Sequence, residues 1–274
     1  MTPDLPKTLA TAEVIARQAG AILREAVGKP RQIEYKGVID LVTQYDKQVE
    51  AHIGSSLRAA FPDHLIIGEE GTGQDLQTAG HYTWIIDPID GTTNFAHGMP
   101  NFCTSIGLTD PDGKPLLGVI YDPCRDECYT AWRGGGAYLN HQRLQVSNIR
   151  DVAHALVISE FPYSKWTDPD NNAEEWTQML LRTQQSLSSG AAALDLCYVA
   201  AGRVDAFWVQ GCKAWDVCAG IVLVEEAGGR ISNYRGTLDG VYAGTRIVAT
   251  NGHIHERILT ILMMGPMAPR PNSR

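Results

Sequence analysis

The chain has 274 residues, 44% of them hydrophobic and 20% charged, and carries a formal net charge of −8. Such a chain has ample material for a core and shows no basic footprint for nucleic acid or anionic lipid. No apolar run reaches the roughly 18 residues that span a bilayer, and Met1 to Lys7 lacks the pattern of a signal peptide, so a cytoplasmic location is expected.

Thr8 to Val27 repeats Leu9, Ala12, Ile15, Ala16, Ala19, Ile22, Leu23 and Ala26 at helical spacing, with Gly28 and Pro30 as the stop. Asp46 to Ala60 predicts a second helix with Val49, Ile53 and Leu57 inward. Leu65-Ile66-Ile67-Gly68 reads as a short strand delivering Glu69 and Glu70 into a Gly-flanked turn, and Gly71 to Gly80 as a surface loop. Tyr82 to Ile86 is another strand, running into Asp87-Pro88-Ile89-Asp90-Gly91-Thr92. Two apolar strands that both end in carboxylates are hard to explain by packing alone, because like charges that close repel unless a cation sits between them.

Phe102 to Leu108, Leu116 to Tyr121 and Cys128 to Trp132 predict an antiparallel meander, and Gly134-Gly135-Gly136 a tight reversal rather than a phosphate loop. A composition shift at Val146 to Asp151 marks a boundary, giving an N-terminal α+β domain at 1–147 and a C-terminal α/β domain at 148–264. Beyond it come a strand at Leu156 to Ser159, a helix at Asn171 to Leu187, and a small-residue helix at Ser188 to Gly202 with outward-facing amides at Ser189-Gly190. A strand at Val204 to Val209 precedes a helix at Trp215 to Gly229, whose first turn holds Asp216. Strands at Gly229 to Asn233 and Arg246 to Asn251 and a helix at Ile254 to Met264 follow, and 265–274 reads as a disordered tail. The six cysteines form no Cys-x-x-Cys pair and are expected to be free thiols.

Glu69, Asp87, Asp90 and Asp216 thus stand at the ends of apolar elements without neighbouring His or Cys ligands. Hard oxygen donors of this kind suit Mg2+ or Mn2+ rather than zinc. Two such ions about 3.5–4 Å apart serve phosphoryl transfer to water, and amides at the helix start after Gly91 add an anion cradle.

On these motifs the chain resembles the inositol monophosphatase family. The matching stretches are Gly68-Glu69-Glu70, Trp84 to Phe95 with Asp87-Pro88-Ile89-Asp90-Gly91-Thr92-Thr93-Asn94 at its centre, Trp215-Asp216-Val217, and Glu226-Ala227-Gly228-Gly229. Asp40-Leu41-Val42-Thr43 with Asp46, and Gly190-Ala191-Ala192 with Asp195, also fit. The resemblance implies an α+β fold layered as an α/β/α/β/α sandwich, a Mg2+-dependent and lithium-sensitive phosphomonoesterase, and a homodimer. It implies that Glu69, Asp87 and the Ile89 carbonyl hold a first ion, that Asp87, Asp90 and Asp216 hold a second, and that Glu69 holds a weaker third. Thr92 with Asp46 would orient the attacking water, and the Gly91 and Thr92 amides would bind phosphate. Asp90, Gly190, Ala191, Ala192 and Asp216 would face the sugar or polyol, with Lys36 on a mobile loop beside the ions.

Val209 stands where the family has an inositol-contacting glutamate, so substrates beyond inositol 1-phosphate stay open: histidinol phosphate, fructose 1,6-bisphosphate or a 3′-phosphonucleotide. The haloacid dehalogenase motif Asp-x-Asp-Gly-Thr is a poor match, because two residues separate Asp87 from Asp90. The other rival is a regulatory partner of transcription or RNA machinery, with or without phosphatase activity.

Overall fold

In the computed structural model, which describes residues 2–29, 32–73 and 78–265, the apolar stripe of the first predicted helix meets a second helix and a sheet. Helix α1 spans Leu5–Ala26, capped by Asp4 and with a proline in its first turn, where a missing N–H costs nothing. Strands β1 (Ile33–Tyr35) and β2 (Leu41–Thr43), neither of which the sequence announced, pair antiparallel. Helix α2 (Gln44–Ala60) starts from a capping box in which Thr43 and Asp46 satisfy each other's orphan groups.

Among the described residues, β3 (Leu65–Gly68), β4 (Thr83–Asp90), β5 (Cys103–Thr109), β6 (Pro115–Asp122), β7 (Glu127–Trp132), β8 (Gly136–Leu139) and β9 (Gln142–Arg143) form one sheet in that order. The β3–β4 pair is parallel and the other pairs are antiparallel. Helix α3 (Thr92–His97) follows β4 directly. Gly134 and Gly136, at φ 79 and 91, make the predicted reversal, and β8 and β9 extend the meander past it.

The second sheet orders β11 (Gln185–Leu187), β10 (Leu156–Ser159), β12 (Ala206–Gln210), β14 (Arg246–Thr250) and β13 (Arg230–Ser232). Helices α4 (Ala173–Leu180), α5 (Ala192–Ala200), α6 (Ala214–Glu226) and α7 (His255–Leu262) complete the chain. The layers are α1 and α2, the first sheet, α5 and α6, the second sheet, then α4 and α7, which is the α/β/α/β/α sandwich. The middle layer is almost wholly apolar, as a helix pair covered on both faces must be.

Two expectations need correction. The helix expected from Asn171 to Leu187 ends at Leu180, and Gln185–Leu187 instead pairs with the edge of β10 as a strand. The helix expected from Ser188 starts only at Ala192, because Gly190, at φ 80, turns the chain out of helical geometry. At the end of α6, Glu225 pairs with Arg133 at 2.5 Å, and Glu226 accepts the Gly134 and Gly136 amides at 2.9 Å each. The predicted 71–80 loop is described except at 74–77, and the predicted tail, Gly265 apart, lies outside the described residues.

Candidate active site

Strand β4 runs through both of its acids instead of ending at Asp87, and every residue of it is buried. In a regular strand, residues three apart face opposite sides. Here Asp87 pairs with Ser105 and Asp90 with Cys103, so three steps on β4 match two on β5. Pro88, with no N–H to give the ladder, sits inside this bulge. The extra residue restores the phase and turns both carboxylates to one side.

Asp216 reaches the same place from the first turn of α6, where its Oδ2 accepts the Lys213 amide at 2.7 Å. One carboxylate oxygen from each of Asp87, Asp90 and Asp216 lies within 4.8 Å of the others. Glu69, delivered by the parallel neighbour β3, stands close enough to Asp87 to help raise its carboxyl pKa. Its partner Lys36 bridges Glu69 at 3.0 Å and Glu70 at 2.6 Å. The carboxylates of Glu69 and Glu70 outweigh the burial that would lower the Lys36 ammonium and hold its pKa up.

Burial and mutual repulsion push these acids up together. Burial, then Glu69, Asp90 and Asp216, raise Asp87 well above the usual carboxylate range, and burial, then Asp216, does so for Asp90. Burial pushes Glu69 up to about 7 and Asp216 up to about 6. Clustered, desolvated carboxylates of this kind are held apart from their neutral forms only by a cation. An all-oxygen donor set fits a hard divalent ion, so the residues present suit a metal.

Thr92 stands beside the cluster. Its Oγ1 lies 3.2 Å from Asp46 Oδ1 and 2.9 Å from the Ile89 carbonyl, and one hydroxyl proton can serve only one of them. When the proton goes to Asp46, the Ile89 oxygen is left for a cation and the Thr92 lone pairs face the cleft. Asp46 is fully buried and also accepts from the Thr43 amide and hydroxyl, so it is held rigidly behind Thr92. Gly91, at φ 88, makes the turn into α3, and an added Cβ would meet the Asn101 oxygen at 3.0 Å.

The cleft above these groups holds about 500 Å³. Gly190, Ala192 and Val209 line it, whereas Ala191 is 1% exposed and packs behind the wall against Gly91. The Ser189 and Gly190 amides do not face outward free, because Glu160 accepts both.

Four site residues escaped the sequence reading. Glu50, on the apolar face of α2, accepts the Glu70 and Thr72 amides at 2.7 and 3.0 Å and fixes the turn that carries Glu69. The Cys103 thiol donates to Asp90 Oδ2 at 3.6 Å, and Cys212 lies beside Asp216, where it works against the upward push of burial on that carboxyl. Glu160 ends β10. The signal for it was there, since Leu156 to Ser159 is a third apolar strand running into an acid. All six cysteines are free thiols.

The sequence profile of the inositol monophosphatase family matches residues 4–263. The chain belongs to the inositol monophosphatase family. It is 43% identical to an inositol-1-monophosphatase of Synechocystis over 94% of this chain and 88% of that one. It is 40% identical to a Pseudomonas aeruginosa protein named Nus factor SuhB, covering 90% and 92% of the two chains. The solved inositol monophosphatase structure from Anabaena superposes with a TM-score of 0.87 at 40% identity, covering 97% of this chain and 99% of that one. Membership makes the protein a phosphoric monoester hydrolase of a metal-dependent family, and the acid cluster could hold a metal ion. No helix of the described residues is long and apolar enough to cross a membrane.

Proposed function

We propose that the protein hydrolyses a small sugar or polyol phosphate, inositol 1-phosphate foremost, with Mg2+ as its metal and Mn2+ as a substitute. The observation that carries this reading is the bulge in β4, which faces Asp87 and Asp90 toward Asp216 beside the Thr92–Asp46 pair. The roles assigned are Glu69, Asp87 and the Ile89 carbonyl for one ion, and Asp87, Asp90 and Asp216 for the second. When bound, the ions supply charge to the phosphoryl and leaving oxygens and acidify a bound water. Thr92 accepts a proton from the attacking water and passes its own toward Asp46, which burial holds up in pKa and ready to share it. The first amides of α3, from Thr92 onward, have no acceptor within the helix and serve the phosphate, with Gly91 making room. Gly190 and Ala192 line the polyol end, with Ala191 supporting them from behind. No side chain needs to form a phosphoenzyme.

The named relatives support inositol 1-phosphate, and an apolar Val209 in the wall leaves room for other leaving groups. We further propose a homodimer, lithium inhibition and a cytoplasmic site of action; six free thiols fit a reducing compartment. The division at 147/148 is supported by the sheets, each drawn from one side of it. A phosphate-release screen with Mg2+ over myo-inositol 1-phosphate, histidinol phosphate, fructose 1,6-bisphosphate and 3′-phosphoadenosine 5′-phosphate tests the reading. Highest kcat/KM on the inositol ester is expected, and no release from any of them would refute it. A second reading, a role of the Nus-factor kind, rests on the SuhB relatives. Retained binding to transcription complexes by a metal-ligand variant would separate that role from catalysis.

A further inference from the structure

Glu160 follows the last residue of β10 and lines the cleft. Since Ser159 pairs with Trp208, it stands one step past the paired ladder, level with Val209 on the neighbouring strand. Its Oε1 accepts the Ser189 amide at 2.6 Å and the Gly190 amide at 2.7 Å, and its Oε2 accepts the Ser188 hydroxyl at 2.9 Å. Three consecutive residues of one turn are therefore held by one carboxylate. With about four acceptor positions on a carboxylate, little capacity is left for a substrate hydroxyl, so Glu160 works through the turn it grips.

That turn is wired to the rest of the site. The Ser189 carbonyl accepts from Asn94 at 2.8 Å and from Asn101 at 3.1 Å, both on the side of the site that carries Asp90. The Ser189 hydroxyl donates to buried Asp195 at 2.6 Å. Three residues past the turn, the Ala193 amide donates to Asp90 Oδ2 at 2.8 Å. Gly190, at φ 80, has the Asn94 side chain within 2.8 Å of where a Cβ would stand. The turn is thus pulled from one side by Asn94 and Asn101 and from the other by Glu160.

We propose that Glu160 is a positioning residue that sets the wall of the cleft against which the alcohol part of the substrate docks, and so determines selectivity for polyol over flat leaving groups. The inference rests on the phosphatase reading above. Amides released from Glu160 are free to swing, and a wall out of place by a fraction of an ångström penalises a leaving group that needs several oriented contacts. A planar aryl ester, which needs few, loses less.

The test measures kcat and KM with Mg2+ for myo-inositol 1-phosphate and phenyl phosphate in wild type, Glu160→Ala, Glu160→Asp and Glu160→Gln. In Glu160→Ala the polyol-to-aryl ratio of kcat/KM is expected to fall about tenfold or more, mainly through KM. Glu160→Asp withdraws the acceptor by one methylene while keeping the charge and should show the same bias. Glu160→Gln, whose carbonyl oxygen can still take both amides, should recover most of the ratio. If Glu160→Ala does not fold, judged by near-ultraviolet circular dichroism, the Asp and Gln variants decide. Equal losses on both esters, or an unchanged ratio, would overturn the inference. Wild-type inactivity on both esters would instead strike the choice of inositol 1-phosphate as the foremost substrate, and this inference with it.

Discussion

Asp87 is buried to 1% exposure and faced by Glu69, Asp90 and Asp216. Asp87→Asn removes one charge from this group while keeping its shape. With it go donors that both proposed ions share, so kcat should fall by several orders of magnitude and Mg2+ binding by calorimetry should weaken. The same change relieves repulsion in the metal-free protein, so in EDTA at pH 8 the variant should melt above wild type. Near wild-type turnover would sink the proposed assignment. The acids themselves were legible because each stands at one end of an apolar element. Cys103 and Cys212 were not, since nothing in their spacing shows that a thiol will face a carboxylate across a strand or a helix start.

Among the elements, α6 decides the geometry most directly, because it carries Asp216 and packs on both sheets. It lies close because the first sheet has glycines beneath it. A Cβ on Gly107 would stand 2.6 Å from Cys218 Sγ, and one on Gly118 would stand 2.4 Å from the Ala219 oxygen. Gly118→Ala must lift the helix or bend the sheet, at a cost of about 1–3 kcal/mol. A lower urea midpoint should come with weaker Mg2+ binding, since the same shift moves Asp216. Loss of stability with unchanged metal affinity would show that the ends of α6 are held independently, for example by the Glu226 clamp on Gly134 and Gly136. Helix content here was readable from periodicity, but the ends of α4 and α5 were not. Strand β11 is three residues long and takes its structure from pairing with β10, which no local pattern encodes.

For the whole molecule the acid cluster is a destabilising feature that a bound cation would offset. Glu69 and Glu70 are raised from 4.5 to about 7 and Asp216 from 3.8 to about 6 in the folded, metal-free protein. A raised carboxyl pKa means that the folded state binds more protons than the unfolded one between the two values. The stability this contributes is fully present below about pH 4 and is lost as pH rises through 6 and 7. Urea unfolding in EDTA should therefore show this contribution eroding from pH 5 to pH 8, and Mg2+ should flatten or reverse that trend because it binds the ionised cluster. A metal-free protein equally stable at both pH values would contradict the burial of these acids.

The sequence alone carried the four acids and most of the helices and strands, because burial and helical or strand period leave marks along the chain, and its motifs carried the resemblance that implied the family and the layering. It placed Asp87 and Asp90 three apart but could not say that they face one way. Only pairing with β5 decides that, because it forces an extra residue into the strand at Pro88 and turns two opposed carboxylates into neighbours. Likewise the amides at Ser189 and Gly190 looked free for a ligand until Glu160 was brought to them from 29 and 30 residues away. Such contacts depend on how sheets stack, and stacking is a property of the whole chain rather than of any stretch of it.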